Sequence, residues 1–154
     1  MLAPWQQPRV VEQSLLILKS YFHWIGEELL PLSPDGLETA QRLFAAPFVV
    51  VSHGPGKDPV LNYGNRKALE LWEMTWDSFI QTPSRLTAEI LSRPERAAML
   101  KKVSAQGFSR DYRGVRVSSS GRRFRIEEAV IWNILDEKKR PYGQAAAFHR
   151  WTYL

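Results

Sequence analysis

The sequence predicts an α+β fold in which helices lead and strands close the chain. Three observations carry that reading. Apolar residues recur at steps of three and four from Val11 to Leu29, the stripe of an amphipathic helix. The β-branched run FVVVSH, residues 48–53, is bounded by Pro47 and by GPGKDP, which marks a strand and a turn. Past Gly107 the apolar period drops from that of a helix to the alternation of a strand.

In chain order, Val11, Leu15, Leu18, Phe22, Ile25 and Leu29 share one face of a helix running from Pro8 to Pro31. Leu16, Tyr21 and Trp24 widen that face, and Pro31 ends the helix. SPDGLETAQRLFAAP predicts a short second helix with Ser33 as its cap and Pro34 in its first turn. After the strand at 48–53, VLNY (60–63) is a second short strand, able to form a hairpin through the turn at 54–59. NRKALELWE (65–73) is helical with Asn65 as its cap. TWDSFIQTPSRLTAEILS gives short helical turns broken at Pro83. In SRPERAAMLKKVSAQG, Ser92 and Glu95 have capping-box spacing and Gly107 closes the helix. SRDYRGVRVSS and RRFRIEEAVIWNILDE are strands joined by a turn around Ser120-Gly121, and PYGQAAAFHRWTYL is a last strand after a turn at Pro141.

A chain of 154 residues suits one domain with a helical extension. No stretch approaches 18 uncharged apolar residues, so no membrane span is expected. MLAPWQQPRV lacks the plan of a secretory signal, and a cytoplasmic location is the default. With no cysteine there is no disulfide, no thiolate ligand and no cysteine nucleophile. A net charge of +5 favours anionic partners, but it speaks to encounter rather than to fold. Nucleic acid is disfavoured as a partner, because no aromatic residues interleave with the arginines as a stacking platform requires.

The order of elements resembles a PAS domain. More specifically, DPVLNYGNRKALELWEMTWDSFIQTPSRLTAE (58–89) and DYRGVRVSSSGRRFRIEEAVIWNILDE (111–137) resemble the MEKHLA domain, a PAS-related family. That family occurs at the C-terminus of plant homeodomain-leucine zipper transcription factors and as single-domain bacterial proteins, notably in cyanobacteria. The resemblance is to the single-domain type and spans about residues 10–153. It implies a PAS-like five-stranded antiparallel sheet of order 2-1-5-4-3 with its helices on one face. Residues 1–45 would be a helical extension packed on a PAS-like domain of residues 46–154. It also implies a sensor or signalling role, with a small ligand held between helices and sheet or a partner pairing across the sheet.

The candidate ligand residues follow from the patterning set in that frame. On residues 122–135 the even positions are the apolar ones, which turns Phe124, Ile126, Val130 and Trp132 toward the helices. Glu128 is the exception on that face, and a carboxylate there must be paired, protonated or hydrated. Arg85 in PSRL is its candidate partner, and a bulge near Glu127 would swap the two faces and move Glu127 inward. Arg123 and Arg125 should face away beside Glu127, and Arg113, Arg116 and Arg122 read as solvated hairpin charges. Asn62 and Tyr63 could hydrogen-bond a ligand, and Trp72 is either core or cavity wall. The three alanines 145–147 leave room for a close helix or a planar ligand. The candidate site is therefore Asn62, Tyr63, Trp72, Arg85, Phe124, Glu128 and Trp132.

The absence of cysteine excludes a cysteine-linked flavin or chromophore. Haem is disfavoured, because His23, His53 and His149 all fall outside the helix after PSRL where haem-binding PAS domains place the ligand. Non-covalent flavin stays open, and the cofactor is unknown. No HExxH, GxSxG or GxGxxG is present, and GPGKD lacks P-loop spacing, so no enzyme and no metal site is expected. The expected function is a PAS-like sensor with an unidentified small ligand. The alternative is a ligand-free dimerisation or partner-binding module, prompted by apolar Ile131 and Leu135 on the charged face.

Overall fold

The computed structural model describes residues 2–154. Helix α1 (Pro8–Ile25) starts on a proline, whose missing N–H costs nothing in a first turn. It ends at Gly26 and not at Pro31: Gly26 takes a left-handed φ of 83° and its N–H donates to Phe22 O at 2.9 Å. Helix α2 (Gly36–Phe44) is capped by Asp35 instead of Ser33, the Asp35 carboxylate accepting from Leu37 N at 3.0 Å. Ser33 instead donates its hydroxyl to Glu38 at 2.9 Å. Asp35→Ala should cost about 1 kcal/mol, read as a lower urea midpoint, and Asp35→Asn should retain most of the cap.

Strands β1 (Val49–His53) and β2 (Leu61–Gly64) form the expected hairpin, with a bulge that sets Ser52 opposite Tyr63 and His53 opposite Leu61. Asn65 caps α3 (Arg66–Trp72) as its position predicts. Its Oδ1 accepts from Ala68 N at 3.2 Å and Val50 N at 3.1 Å, and its Nδ2 donates to Phe48 O at 2.7 Å. One amide thus fixes the helix start against β1. After α4 (Trp76–Phe79) come two 3₁₀ turns, Ser84–Thr87 and Ile90–Ser92, which run into α5 (Arg93–Gln106). Because Ser92 belongs to the second of those turns, with φ −94° and ψ −6°, its side chain makes no cap bond and the capping box does not form. Gly107 ends α5 with φ 100°, and a Cβ there would collide with the Trp24 ring.

The sheet continues with β3 (Phe108–Val117), β4 (Arg123–Leu135) and β5 (Pro141–Phe148). Its order is β2-β1-β5-β4-β3, all antiparallel, as the PAS resemblance implies. A sixth strand modifies the expected five. The segment read as one last strand breaks at His149, and β6 (Arg150–Tyr153) turns onto the first half of β4, with Phe124 opposite Tyr153 and Glu127 opposite Arg150. β4 accommodates both neighbours because it is 13 residues long, giving Val130–Leu135 to β5 and Phe124–Glu127 to β6.

The sheet is covered on both faces. On the outer face Val50, Tyr63, Trp132, Ile134, Ala145 and Ala147 pack under α1 and α2. On the inner face Val49, Leu61, Phe124, Ile126, Ile131 and Phe148 pack against α3, α4 and α5. Among the described residues no helix is long and apolar enough to cross a membrane.

Candidate ligand cavity

One backbone position decides which side chains reach the inner face. Glu128 adopts φ 50° and bulges out of β4. Before it, Phe124 and Ile126 face inward; after it, Ala129 and Ile131 do, and Trp132 and Ile134 point outward. The faces swap, as a bulge requires, but Glu127 does not move inward. It stays paired with Arg125 at 2.8 Å and Arg113 at 3.3 Å.

That swap relocates much of the site expected from sequence. Trp132 is fully buried on the opposite side of the sheet, its Nε1 donating to Ile17 O of α1 at 3.2 Å. Asn62 and Tyr63 also face α1. Asn62 Oδ1 accepts from Ser52 Oγ at 2.5 Å, and the Tyr63 ring packs edge-on against Trp76. The Tyr63 hydroxyl is buried without a hydrogen-bond partner, and burial pushes its pKa up. Arg85 and Glu128 do not meet: exposed Arg85 pairs with Asp58 at 3.1 Å, and exposed Glu128 faces Arg150 at 3.4 Å. Of the seven expected residues, Trp72 lines the inner cavity, and Phe124 packs edge-on against it at 5.2 Å.

The cavity lies between the inner sheet face and the α3–α5 segment and has a free volume of about 50 Å³. Its apolar walls are Trp72, Phe79, Ile126, Ile131 and Phe148, and Ala146 of β5 forms part of its floor. Its polar groups include His53, Ser84, Arg96, Tyr112, Arg116 and Gln144. Arg96 is 7% exposed and Arg116 6% exposed. Arg96 donates from Nη2 to Ser84 Oγ. Arg116 donates to Tyr112 Oη at 3.3 Å and Val115 O at 3.1 Å, with its guanidinium 5.5 Å from the Tyr112 ring centre. Gly114 makes room for this arrangement, since a Cβ there would lie 2.9 Å from Arg116 Nη1. Burial, reinforced by the nearby Arg116 charge, lowers the Arg96 pKa to about 10.

His53 completes the polar wall. Its Nδ1 lies 2.9 Å from Gly54 O. A carbonyl can only accept, so Nδ1 carries the proton and Nε2 presents a lone pair. Nε2 is buried without a partner, and Gln144, which faces it, gives its amide protons to Leu100 O, Ser104 Oγ and Asn133 Oδ1. Burial, helped by the Arg96 charge, holds the imidazole pKa below its ordinary 6.5 despite the bond to Gly54 O and the opposing pull of the Gln144 side chain. The unfolded chain therefore binds a proton that the folded one refuses, and stability falls as the pH drops below about 6.5. Urea midpoints near pH 7.5 and pH 5.5 read this directly. The wild type should lose stability on acidification and His53→Gln should lose less; equal losses would show that His53 titrates freely.

Sequence reasoning missed Arg96, Arg116 and His53, yet two of them left a signal. Arg96 stands three, four and seven positions before Met99, Leu100 and Val103, in phase with the apolar stripe of α5. Arg116 alternates with Tyr112 and Gly114 on one face of β3. The sequence reads it as a solvated hairpin charge because it clusters with Arg113 and Arg122 near the turn. The remaining hairpin arginines are engaged at the surface: Arg123 pairs with Glu89 at 2.9 Å, and Arg122 stacks 3.5 Å over the Tyr153 ring.

Known proteins share this architecture. A family profile described as the MEKHLA domain matches residues 11–153. The homeobox-leucine zipper protein ATHB-15 of Arabidopsis thaliana is 24% identical over 139 residues, which cover 90% of this chain and 17% of that protein. HOX32 of Oryza sativa subsp. indica is 31% identical over 99 residues, covering 62% of this chain and 11% of that protein. The chain thus spans less than a fifth of the length of these curated relatives. Among solved structures, a PAS domain from Colwellia psychrerythraea superposes with TM-score 0.61 at 13% identity, over 76% of this chain and 94% of that one. An RNA-binding light-oxygen-voltage receptor superposes with TM-score 0.64 at 13% identity, over 79% of this chain and 34% of that one. At such identities the structural likeness speaks for the fold alone. With the PAS strand order formed, and with a family match that begins inside α1 and ends in β6, this chain belongs to the MEKHLA domain family.

Proposed function

We propose that this chain is a sensory module and not an enzyme: residues 46–154 hold a small ligand in the inner cavity, and the extension of residues 1–45 reports its presence. The observation that carries this reading is that one pair of strands serves both sides. In β5, Gln144 and Ala146 line the cavity, and Ala145 and Ala147 lie in the cluster beneath α1. In β4, Ile131 faces the cavity and its neighbour Trp132 holds α1. A ligand that favours one placement of β4 and β5 therefore biases the docking of α1.

The cavity also bounds the ligand. Drug-sized sites are typically of ~300–1,000 Å³, so about 50 Å³ suits a compound of a few non-hydrogen atoms and fits neither flavin nor haem. Mass spectrometry of compounds released from natively purified protein tests the reading, together with hydrogen exchange across α1. The wild type should release a stoichiometric compound that slows exchange in α1 when added back, and Ala146→Leu, whose side chain fills the cavity, should retain none. No bound compound and unchanged exchange would overturn it.

A ligand-free interaction module is the second reading. Its original motive is gone, because Ile131 and Leu135 are buried. One observation favours it now: Ile90 and Leu91 are 70% and 85% exposed on the 3₁₀ turn before α5. A concentration-dependent dimer lost in Leu91→Asp would support it.

A further inference from the structure

We infer that the inner cavity takes a short-chain carboxylate, gripped by Arg96 and Arg116 and carrying a hydrogen-bond donor for His53. The inference rests on the reading of that cavity as a ligand site and adds the chemistry of the ligand.

Two arginines line one small cavity, both more than nine-tenths buried, and among the described residues neither forms an ion pair. Arginine is almost never buried without a partner, because a desolvated charge needs an opposite one. Several exposed arginines find carboxylates even at the surface, as Arg85 does with Asp58 and Arg123 with Glu89. The carboxylate whose field reaches Arg96 is Asp58, and that group is already held by Arg85 at 3.1 Å. Arg96 and Arg116 are instead close enough to repel each other and are met by neutral groups, the hydroxyls of Ser84 and Tyr112 and the carbonyl of Val115. The cavity is therefore positive and short of one anion.

The shape of the missing group follows from its neighbours. Planar guanidinium forks match a planar carboxylate through paired N–H···O bonds. Trp72, Ile126 and Phe148 supply an apolar wall for a short carbon chain. At the other side the buried Nε2 of His53 has a lone pair and no donor. A hydroxyl or amide N–H on the ligand would satisfy it. A volume of about 50 Å³ is room for roughly three to five non-hydrogen atoms, at one water position per 10–15 Å³. A hydroxycarboxylate of the size of glycolate meets all of these demands.

The test is a thermal-shift and calorimetric titration of the full chain with sodium glycolate, sodium acetate and acetamide, at constant ionic strength set with sodium chloride. Glycolate should raise the melting temperature and acetate should raise it less. Acetamide, which has the shape of acetate without its charge, should leave it unchanged. In Arg96→Gln and in Arg116→Gln the affinity for glycolate should fall by at least about tenfold, and in His53→Leu the advantage of glycolate over acetate should vanish. Equal responses to acetate and acetamide would overturn the proposal without recourse to any variant. So would an unaltered glycolate affinity in folded Arg96→Gln. A neutral compound recovered from the native protein and still bound by Arg96→Gln would overturn the carboxylate and leave the sensory reading standing. No recovered compound, with no exchange response in α1, would overturn both.

Discussion

Trp132→Ala should lower the stability of the fold by about 3–5 kcal/mol. The indole is fully buried between β4 and α1, and the Tyr21 ring meets it edge-on at 4.9 Å. Its Nε1 bonds to Ile17 O at 3.2 Å. Truncation removes this packing, opens a void beneath the helix and deletes one of the side-chain bonds between α1 and β4, leaving those of Ser20 with Leu135 and Trp24 with Asn133. For a chain of this length the melting temperature should fall by about 6–20 °C. Trp132→Phe keeps most of the packing and should lose no more than about 2 kcal/mol, chiefly the hydrogen bond and a little volume. Urea unfolding gives both magnitudes, and hydrogen exchange gives the location. In the alanine variant α1 should exchange first and the cavity-lining segment of α5 later. If α5 opened first, Trp132 would be supporting the cavity and not the helix across the sheet from it.

Arg96→Met acts in the opposite direction and should stabilise the ligand-free protein by about 1–4 kcal/mol. Replacing a buried ion pair by apolar residues of similar volume is often favourable by ~1–4 kcal/mol, and Arg96 has no ion partner that its loss would strand. Methionine preserves much of the aliphatic stem in the cavity wall, and Arg116 is relieved of a like-charged neighbour. The cost is the bond to Ser84 Oγ, a neutral acceptor that can turn to other donors. The gain should appear as a higher urea midpoint with an unchanged slope in buffer free of organic anions. Glycolate should narrow the difference by stabilising the wild type alone. A destabilised Arg96→Met would mean that Arg96 is a structural residue whose environment already satisfies it.

What could be read from the sequence, and what could not, divides along the range of the interactions. Asn65 was legible as a cap because capping is local chemistry. Its other bonds, to Val50 N and Phe48 O, were not. The strand order was legible through the family resemblance. The placement of Trp132, Asn62 and Tyr63 was not, because each hangs on a one-residue irregularity: Glu128 at φ 50° in β4, and the shift between Ser52 and His53 opposite β2. Alternation predicts a face only up to the next bulge. The pairing proposed between Arg85 and Glu128 came from the sound premise that a buried carboxylate needs a cation. The bulge expels Glu128 into solvent, and the same premise then applies with the signs reversed, to two buried cations that need a carboxylate.

The bond from Trp132 to Ile17 O joins positions 115 residues apart. During synthesis α1 leaves the ribosome first and its docking surface on β4 leaves long after. At ~5–20 residues per second the apolar face of α1 must wait on the order of 6–23 s for that surface to exist. In that interval Ile17, Leu18 and Tyr21 can be covered only by α2, by a chaperone or by another nascent chain. The contacts that couple the helix to the sheet in the finished molecule, those of Ile17, Ser20 and Trp24 with β4, are thus the ones that must form last while the molecule is being made.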